Sequence, residues 1–148
     1  MTAAGAEDTV GAIMTRKPVT IKPDAPVRKA LQTMIKHDIG SLIVVKNGQP
    51  VGMVTERDVT RRSLRPAKTE GVYDRPVTRF MTRPVITLSP TAPVWEAFET
   101  MVTKKIRRLP IVEQGRLVGI VTERDLFKWV IRAFYEPNIP DRIKKFLD

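Results

Sequence analysis

An internal repeat is the feature that most constrains how this chain of 148 residues can fold. When the sequence is shifted by 67 residues, Met14–Val59 aligns with Met81–Leu126 without a gap, and nearly half of the 46 paired positions are identical. A unit of about 50 residues is marginally stable alone. The repeat therefore predicts two similar units that pack sheet to sheet about a pseudo-twofold axis, with clefts between them of the kind that often bind ligands.

The repeat also sets the expected domain bounds. We predict a flexible leader over residues 1–9, a first unit over 10–64, a linker over 65–76, a second unit over 77–135, and a tail with a short helix over 136–148. Short leaders of small residues tend to fray. The linker is polar and basic and contains Gly and Pro, as is typical of segments between domains.

Each repeat has the pattern of a strand, a helix, a two-stranded hairpin and a final helix, which indicates an α+β fold made of two tandem βαββα units. Apolar residues from Val27 to Ile35 recur at the spacing of one helix face, and Asp24 is placed to cap that helix. Asn47-Gly48 and Gln114-Gly115 predict the hairpin turns. The hairpin strands are apolar without alternation, so both faces of each are expected to be covered.

Composition excludes several function classes. The chain has no cysteine and one histidine, which excludes a disulfide scaffold and a thiolate metal site, so we expect no metal. It has no Gly-rich phosphate loop and no nucleophile–base pair, so we expect no catalytic residue and no enzyme. No apolar run approaches the roughly 20 residues that span a bilayer, which predicts a cytoplasmic protein without membrane contact.

The motif Gly-x-Val-Thr-Glu-Arg-Asp, at Gly52–Asp58 and again at Gly119–Asp125, begins the last helix of each repeat. One interpretation is a capping box, in which the Thr side chain caps the helix and the Asp bonds back to the cap amide. The other is a ligand site, because a helix start attracts phosphate and a carboxylate can accept hydrogen bonds from both hydroxyls of a ribose. Spacing alone leaves both open, and duplication does not separate them.

Both repeats resemble the CBS domain, and the chain resembles a stand-alone tandem CBS pair, or Bateman module. The matching features are the Pro-x-Ala-Pro-Val approach to the first helix, the strands IGSLIVV and IRRLPIV, the Asn-Gly or Gln-Gly turn, and both VGxVTERD segments. The resemblance implies a homodimer without a required cofactor. It also implies that AMP, ADP, ATP or S-adenosylmethionine binds in the clefts between the units. The function implied is a ligand sensor that signals in trans to an effector protein, which the sequence does not identify.

The resemblance also implies which residues bind the ligand. Asp58 and Asp125 would hold the ribose, with Thr55 and Thr122 near phosphate, and a basic residue at the start of the second strand would meet phosphate. Residues of the short first strand and the hairpin would hold adenine. The remaining candidates are Thr20, Ile21, Ile43, Met53, Thr87, Leu88, Arg107, Arg108, Ile111 and Ile120.

The two repeats differ at that basic position. The second repeat has Arg107-Arg108 where the first has Gly40-Ser41. Guanidinium groups bind phosphate oxygens through paired hydrogen bonds, and a serine does not replace that charge. We therefore expect the Asp125 site to prefer phosphorylated nucleotides. The Asp58 site is expected to be weaker, empty or suited to a less charged ligand.

Net charge supports an alternative function. Lys+Arg 26 against Asp+Glu 16 gives +10, and Lys104, Lys105, Arg107 and Arg108 form one of two basic clusters. Such clusters can bind the phosphate backbone of nucleic acid, or they can be inert surface.

The apolar tail of the last helix, which includes Trp129 and Phe134, is open to two interpretations. It seals the core, or it forms a dimer face.

Overall fold

The computed structural model describes residues 9–63, 71–134 and 141, without the side chains of 62 and 63. Most of the predicted leader and tail, and half of the predicted linker, lie outside these residues. The described part contains five α-helices: α1 (Val10–Ile13), α2 (Val27–His37), α3 (Glu56–Ser63), α4 (Val94–Lys104) and α5 (Glu123–Phe134). It contains six strands: β1 (Thr15–Arg16), β2 (Thr20–Ile21), β3 (Ser41–Lys46), β4 (Gln49–Thr55), β5 (Arg108–Glu113) and β6 (Arg116–Thr122). No helix within the described ranges is long and apolar enough to cross a membrane.

The chain forms two compact units. Unit A consists of Lys17–Ile86 with Gln114–Leu117, and unit B contains the described residues of Met1–Arg16, Thr87–Glu113 and Val118–Asp148. Unit A has a sheet of order β2-β3-β4, and β1, β6 and β5 form a second sheet in the order β1-β6-β5. Strands β2 and β3 are parallel, whereas β3 and β4 form an antiparallel hairpin. The predicted α+β class is therefore confirmed.

The predicted hairpin is confirmed in unit A, and the predicted helix face is confirmed except at Ile35, which is 80% exposed. The α2 side chains of Val27, Ala30 and Met34 are buried against one face of the sheet, where Leu42 and Val44 lie. Leu42, Ile43 and Val44 are each at most 1% exposed, so β3 is covered on both faces as its uninterrupted apolar run predicts.

Both hairpin turns occur where the sequence predicts them. Asn47 and Gly48 have φ values of 52° and 80°, and Gln114 and Gly115 have φ values of 50° and 78°. Two successive positive φ angles are the geometry that matches the twist of a two-residue hairpin. Asn and Gly adopt this region readily, whereas Gln does so at a cost.

The start of α2 corrects one prediction. Asp24 does not cap the helix, because the N-cap position is Pro26, whose extended backbone has φ −70° and ψ 150° and makes no side-chain cap hydrogen bond. The first helical amide, that of Val27, donates to the carbonyl of Arg75 at 2.9 Å instead. A distant backbone oxygen thus satisfies a donor that a side chain was expected to satisfy.

Part of the predicted linker belongs to the core. Val72 is 3% exposed and packs in the same apolar cluster as α2. The amide of Val77 donates to the carbonyl of Ala25 at 2.9 Å, which fixes the end of this segment to the start of the helix. The segment from Gly71 onward is therefore a packed part of unit A rather than a free connector.

The leading Met-Thr-Arg segment of each repeat packs with the other repeat. Thr82 exchanges both backbone hydrogen bonds with Met53, at 3.0 and 2.7 Å, and Thr15 of β1 pairs with Ile120 of β6. Thr82 is the second residue of the second repeat but lies in unit A. The compact units are therefore not the two sequence repeats, since each contains a strand-like segment from the other.

This exchange explains the glycine of the Gly-x-Val-Thr-Glu-Arg-Asp motif. The side chain of Met81 lies over Gly52, and the side chain of Met14 lies over Gly119 in the same way. A Cβ at Gly52 would be 2.8 Å from Cγ of Met81, and a Cβ at Gly119 would be 2.9 Å from Cγ of Met14. Each glycine leaves room for the methionine that enters from the other repeat.

Candidate functional site

The starts of α3 and α5 are reciprocal capping boxes. The Thr55 amide donates to Asp58 Oδ2 at 3.0 Å, and the Asp58 amide donates to Thr55 Oγ1 at 3.1 Å. The equivalent distances for Thr122 and Asp125 are 2.9 and 3.3 Å, and the Thr122 hydroxyl also donates to Asp125 Oδ2 at 3.0 Å. The capping interpretation of the motif is confirmed at both positions.

Capping leaves part of each carboxylate available. Only Oδ2 of Asp58 and of Asp125 takes part in the capping box, and Oδ1 makes no hydrogen bond to any residue that the structure describes. Both side chains are half-buried. A carboxylate held in place by one oxygen can present the other to a hydroxyl, so the cap and the ligand interpretation can be true of the same residue.

In unit A, four of the six predicted site residues share one face of the sheet. Thr20 pairs with Ile43, and Ile43 pairs with Met53, so the three side chains form a row across the strands. Thr55 follows Met53 by two positions and lies on the same face, which leads to the start of α3. This face is opposite the one that packs against α2.

Ile21 is the exception in unit A. Its side chain is 6% exposed and packs in the core with Val44, its partner across the strands. Because successive residues of a strand point to opposite faces, Thr20 and Ile21 cannot both face a ligand. Ile21 can contribute to the candidate site through its backbone alone.

In unit B, the structure corrects the assignment of Ile111. Leu88 pairs with Ile111 as Ile21 pairs with Val44, so Ile111 is the counterpart of a core residue and not of Ile43. Ile111 is 0% exposed. The counterpart of Ile43 is Pro110, which sequence reasoning missed although the repeat offset of 67 residues identifies it. Leu88 is the counterpart of Ile21, but its side chain is half-buried rather than buried, and its assignment stays a prediction.

The remaining candidates in unit B keep their assignment. Thr87 and Ile120 are the counterparts of Thr20 and Met53 at the same offset, and Ile120 and Thr122 lie on one face of β6. Two further residues of these faces were missed. Thr82 pairs with Met53 and Thr15 pairs with Ile120, and both threonines are exposed. No local pattern could have identified them, because they come from the other repeat.

The start of the second strand of each repeat lies beside a helix start. The Glu56 amide of α3 donates to the Gly40 carbonyl at 3.0 Å, and the Glu123 amide of α5 donates to the Arg107 carbonyl at 3.0 Å. Arg107 is exposed and Arg108 is half-buried. The backbone therefore places Arg107 beside the start of α5, and the phosphate-binding role of Arg107 and Arg108 stays a prediction.

Two other possible sites receive no support from the described residues. No group of three His, Cys, Asp or Glu side chains is placed to hold a metal ion in residues 9–63, 71–134 and 141. A cavity of about 500 Å³ in unit A lies at the far end of β3 from Ser41, so it is not part of the site described above. It is lined by Lys22, Pro23, Asp24, Val45, Lys46 and Asn47.

Comparison with known proteins agrees with the fold. The uncharacterized protein MK0525 of Methanopyrus kandleri is 35% identical over 141 residues, which are 93% of this chain and 69% of that protein. The crystal structure of the CBS domain protein NE2398 is 32% identical and covers 83% of this chain and 97% of its own, with a TM-score of 0.73. The CBS domain pair of MJ0100, solved in complex with 5′-methylthioadenosine and S-adenosyl-L-methionine, is 30% identical. It covers 82% of this chain and 94% of its own, with a TM-score of 0.70.

The family assignment rests on both repeats. The family model of the CBS domain matches residues 10–65 and again residues 77–132. Each match contains one hairpin, one Gly-x-Val-Thr-Glu-Arg-Asp motif and the helix that it begins. The chain belongs to the CBS domain family, as a tandem pair.

Proposed function

We propose that this CBS pair is a regulatory module, without catalytic activity, that binds adenosine-containing ligands at the starts of α3 and α5. The observation that carries the proposal concerns the half-buried Asp58 and Asp125. In each, one carboxylate oxygen belongs to a capping box, and the other makes no hydrogen bond to a described residue. Each stands at the end of a sheet face that offers apolar and hydroxyl side chains. The MJ0100 pair, solved with two adenosine derivatives, supports the same ligand class.

The role of each group follows from its chemistry. Oδ1 of Asp58 accepts hydrogen bonds from the ribose hydroxyls, while Oδ2 holds the helix start in place. Met53 is half-buried and presents apolar surface to the adenine ring, whereas the Ile43 side chain is 1% exposed and can contribute through its backbone. The Thr55 hydroxyl and the positive end of the α3 dipole lie on the side of the substituent at the ribose 5′ position. Asp125, Ile120 and Thr122 repeat these roles in unit B.

Unit B carries two cations that unit A lacks. Arg107 and Arg108 form no ion pair with any described residue, so their guanidinium groups are available to an anion. We therefore assign AMP, ADP or ATP to the Asp125 site. A guanidinium–phosphate pair adds charge-assisted hydrogen bonds that an adenosine without phosphate does not make.

Regulation would act through differential binding. A ligand shifts a conformational equilibrium only by the difference between its affinities for the two states. The partner that reads the change is proposed to be an effector protein that acts on a separate chain. A homodimer is part of the proposal, because Trp95, Phe127 and Phe134 of α4 and α5 are 63%, 63% and 53% exposed, and exposed aromatic side chains are typical of interfaces.

A thermal-shift panel with the full chain tests the ligand class. AMP, ADP, ATP, S-adenosylmethionine and a short oligonucleotide are compared at two salt concentrations, since a ligand that binds only the folded state raises the Tm. Asp58→Asn and Asp125→Asn each keep an acceptor for the capping box but remove the carboxylate. We expect each to weaken binding at its own site about tenfold or more. The proposal fails if no adenosine compound raises the Tm, or if only the oligonucleotide does so and its effect decreases steeply with salt.

A further inference from the structure

The two helix starts are identical in sequence, but their surroundings differ in charge. Thr55–Asp58 and Thr122–Asp125 both read Thr-Glu-Arg-Asp, so the helices contribute the same charges and the same dipole. The neighbouring strand start has Arg107-Arg108 in unit B and Gly40-Ser41 in unit A. Unit A therefore lacks two positive charges at a position where the other site has them.

In unit A, a negative charge lies over that strand start. A Cβ built on Gly40 would be 3.5 Å from Oε1 and 3.7 Å from Oε2 of Glu56. The carboxylate of Glu56 thus packs against the bare face of Gly40, where unit B has an arginine. Together with Asp58, it makes the start of α3 acidic on the side where a nucleotide would place its phosphate.

Ser41 places an uncharged hydroxyl on this face. Its side chain is 7% exposed, and its hydroxyl makes no hydrogen bond to the described residues. Ser41 pairs with Thr55 across the strands, so its side chain lies on the same face as Ile43 and Thr55. The hydroxyl oxygen is accessible, because no fully buried side-chain oxygen of the described residues lacks a hydrogen bond, so a ligand on this face can bond to it. Ser41 offers a ligand an uncharged hydrogen bond at the position where Arg108 offers a charged one.

We propose that the Asp58 site selects adenosine compounds whose 5′ substituent is cationic or uncharged, such as the sulfonium group of S-adenosylmethionine, and that Glu56 sets this selectivity. The inference rests on the proposed function. A carboxylate attracts a sulfonium and repels a phosphate, and the effect is moderate because Glu56 is exposed and solvent screens it. The two sites of one chain would then respond to two different classes of adenosine compound.

Calorimetric titration of the Asp125→Asn variant, in which binding at the other site is weakened, tests the selectivity. The probes are S-adenosylmethionine, its uncharged thioether analogue S-adenosylhomocysteine, and AMP. We expect the affinity to decrease in that order. Glu56→Gln should lower the ratio of the affinity for S-adenosylmethionine to that for S-adenosylhomocysteine about two- to fivefold. The matched change Glu123→Gln in unit B should leave this ratio unchanged. High salt should lower this ratio when Glu56 is present and have little effect on it after Glu56→Gln.

A second variant tests the same idea by gain of binding. Gly40→Arg restores in unit A the residue that unit B has, and its Cβ would make ordinary contact with Glu56. We expect it to raise AMP affinity at the Asp58 site severalfold. The inference is refuted if AMP binds the Asp58 site at least as tightly as S-adenosylmethionine, or if Glu56→Gln leaves the ratio unchanged. If no adenosine compound binds at either site of the unmodified chain, the proposed function itself is refuted.

Discussion

The contact between Met81 and Gly52 makes the exchange of segments between repeats measurable. In Gly52→Ala, the new methyl group would be 2.8 Å from Cγ and 3.1 Å from Cβ of Met81, which is closer than atoms in a packed core tolerate. Overpacking of this kind costs about 1–3 kcal/mol. Met81 is 8% exposed, so Met81→Ala leaves a cavity and costs about 2–5 kcal/mol on its own.

The double variant separates this contact from other effects. In Met81→Ala, the space that the thioether leaves can accept the alanine methyl group. Gly52→Ala should therefore be nearly neutral in that background, with a coupling energy of about 1–3 kcal/mol. Urea denaturation followed by circular dichroism gives the four free energies of unfolding. Met14→Ala and Gly119→Ala provide the matched pair in unit B.

The crossed pairs decide whether the exchange is real. If each repeat folded on itself, Met14 would lie over Gly52, and Met14→Ala would rescue Gly52→Ala. The structure instead predicts that the effects of Met14→Ala and Gly52→Ala add, because the side chain that lies over Gly52 is Met81, and Met14 lies over Gly119. Coupling in the crossed pair, with additivity in the pair of Met81 and Gly52, would refute the assignment of segments to units.

Four further changes test local features by the same urea denaturation. Gln114→Asn should stabilise the chain by a few tenths of a kcal/mol, since Gln114 has φ 50° and Asn adopts positive φ more readily. Asn47→Gln should destabilise it for the same reason. If both substitutions stabilised the chain, or both destabilised it, the reasoning would be contradicted. Thr55→Ala should cost about 1 kcal/mol, because the Asp58 amide loses its acceptor; an unchanged stability would mean that the cap contributes nothing. Asp38→Gly should stabilise the chain by about 0.5–1 kcal/mol. Asp38 ends α2 with φ 51°, which glycine adopts without strain, and its negative charge lies at the carbonyl end of the helix. A loss of stability would refute this reasoning.

Local patterns were sufficient wherever neighbouring residues decide the structure. The apolar spacing from Val27 to Met34 predicted the buried face of α2, although Ile35, which continues the same spacing, is exposed. Asn47-Gly48 predicted the turn of the first hairpin. The spacing of Thr55 and Asp58 gave the capping box as one of two interpretations, because three residues separate a cap from its partner whatever surrounds the helix. Each of these features is determined by hydrogen bonds or side-chain positions within a few residues along the chain.

The tertiary structure decided which distant segments meet. Met81 packs on Gly52 and Thr82 pairs with Met53, and a backbone oxygen of Arg75 replaces the cap expected from Asp24. Each strand is predictable from its sequence, but its partner depends on where the chain returns. For the same reason, the sequence determined that two Thr-x-x-Asp helix starts exist. Only the folded chain brings the carboxylate of Glu56 over Gly40 and so gives the start of α3 an acidic neighbour.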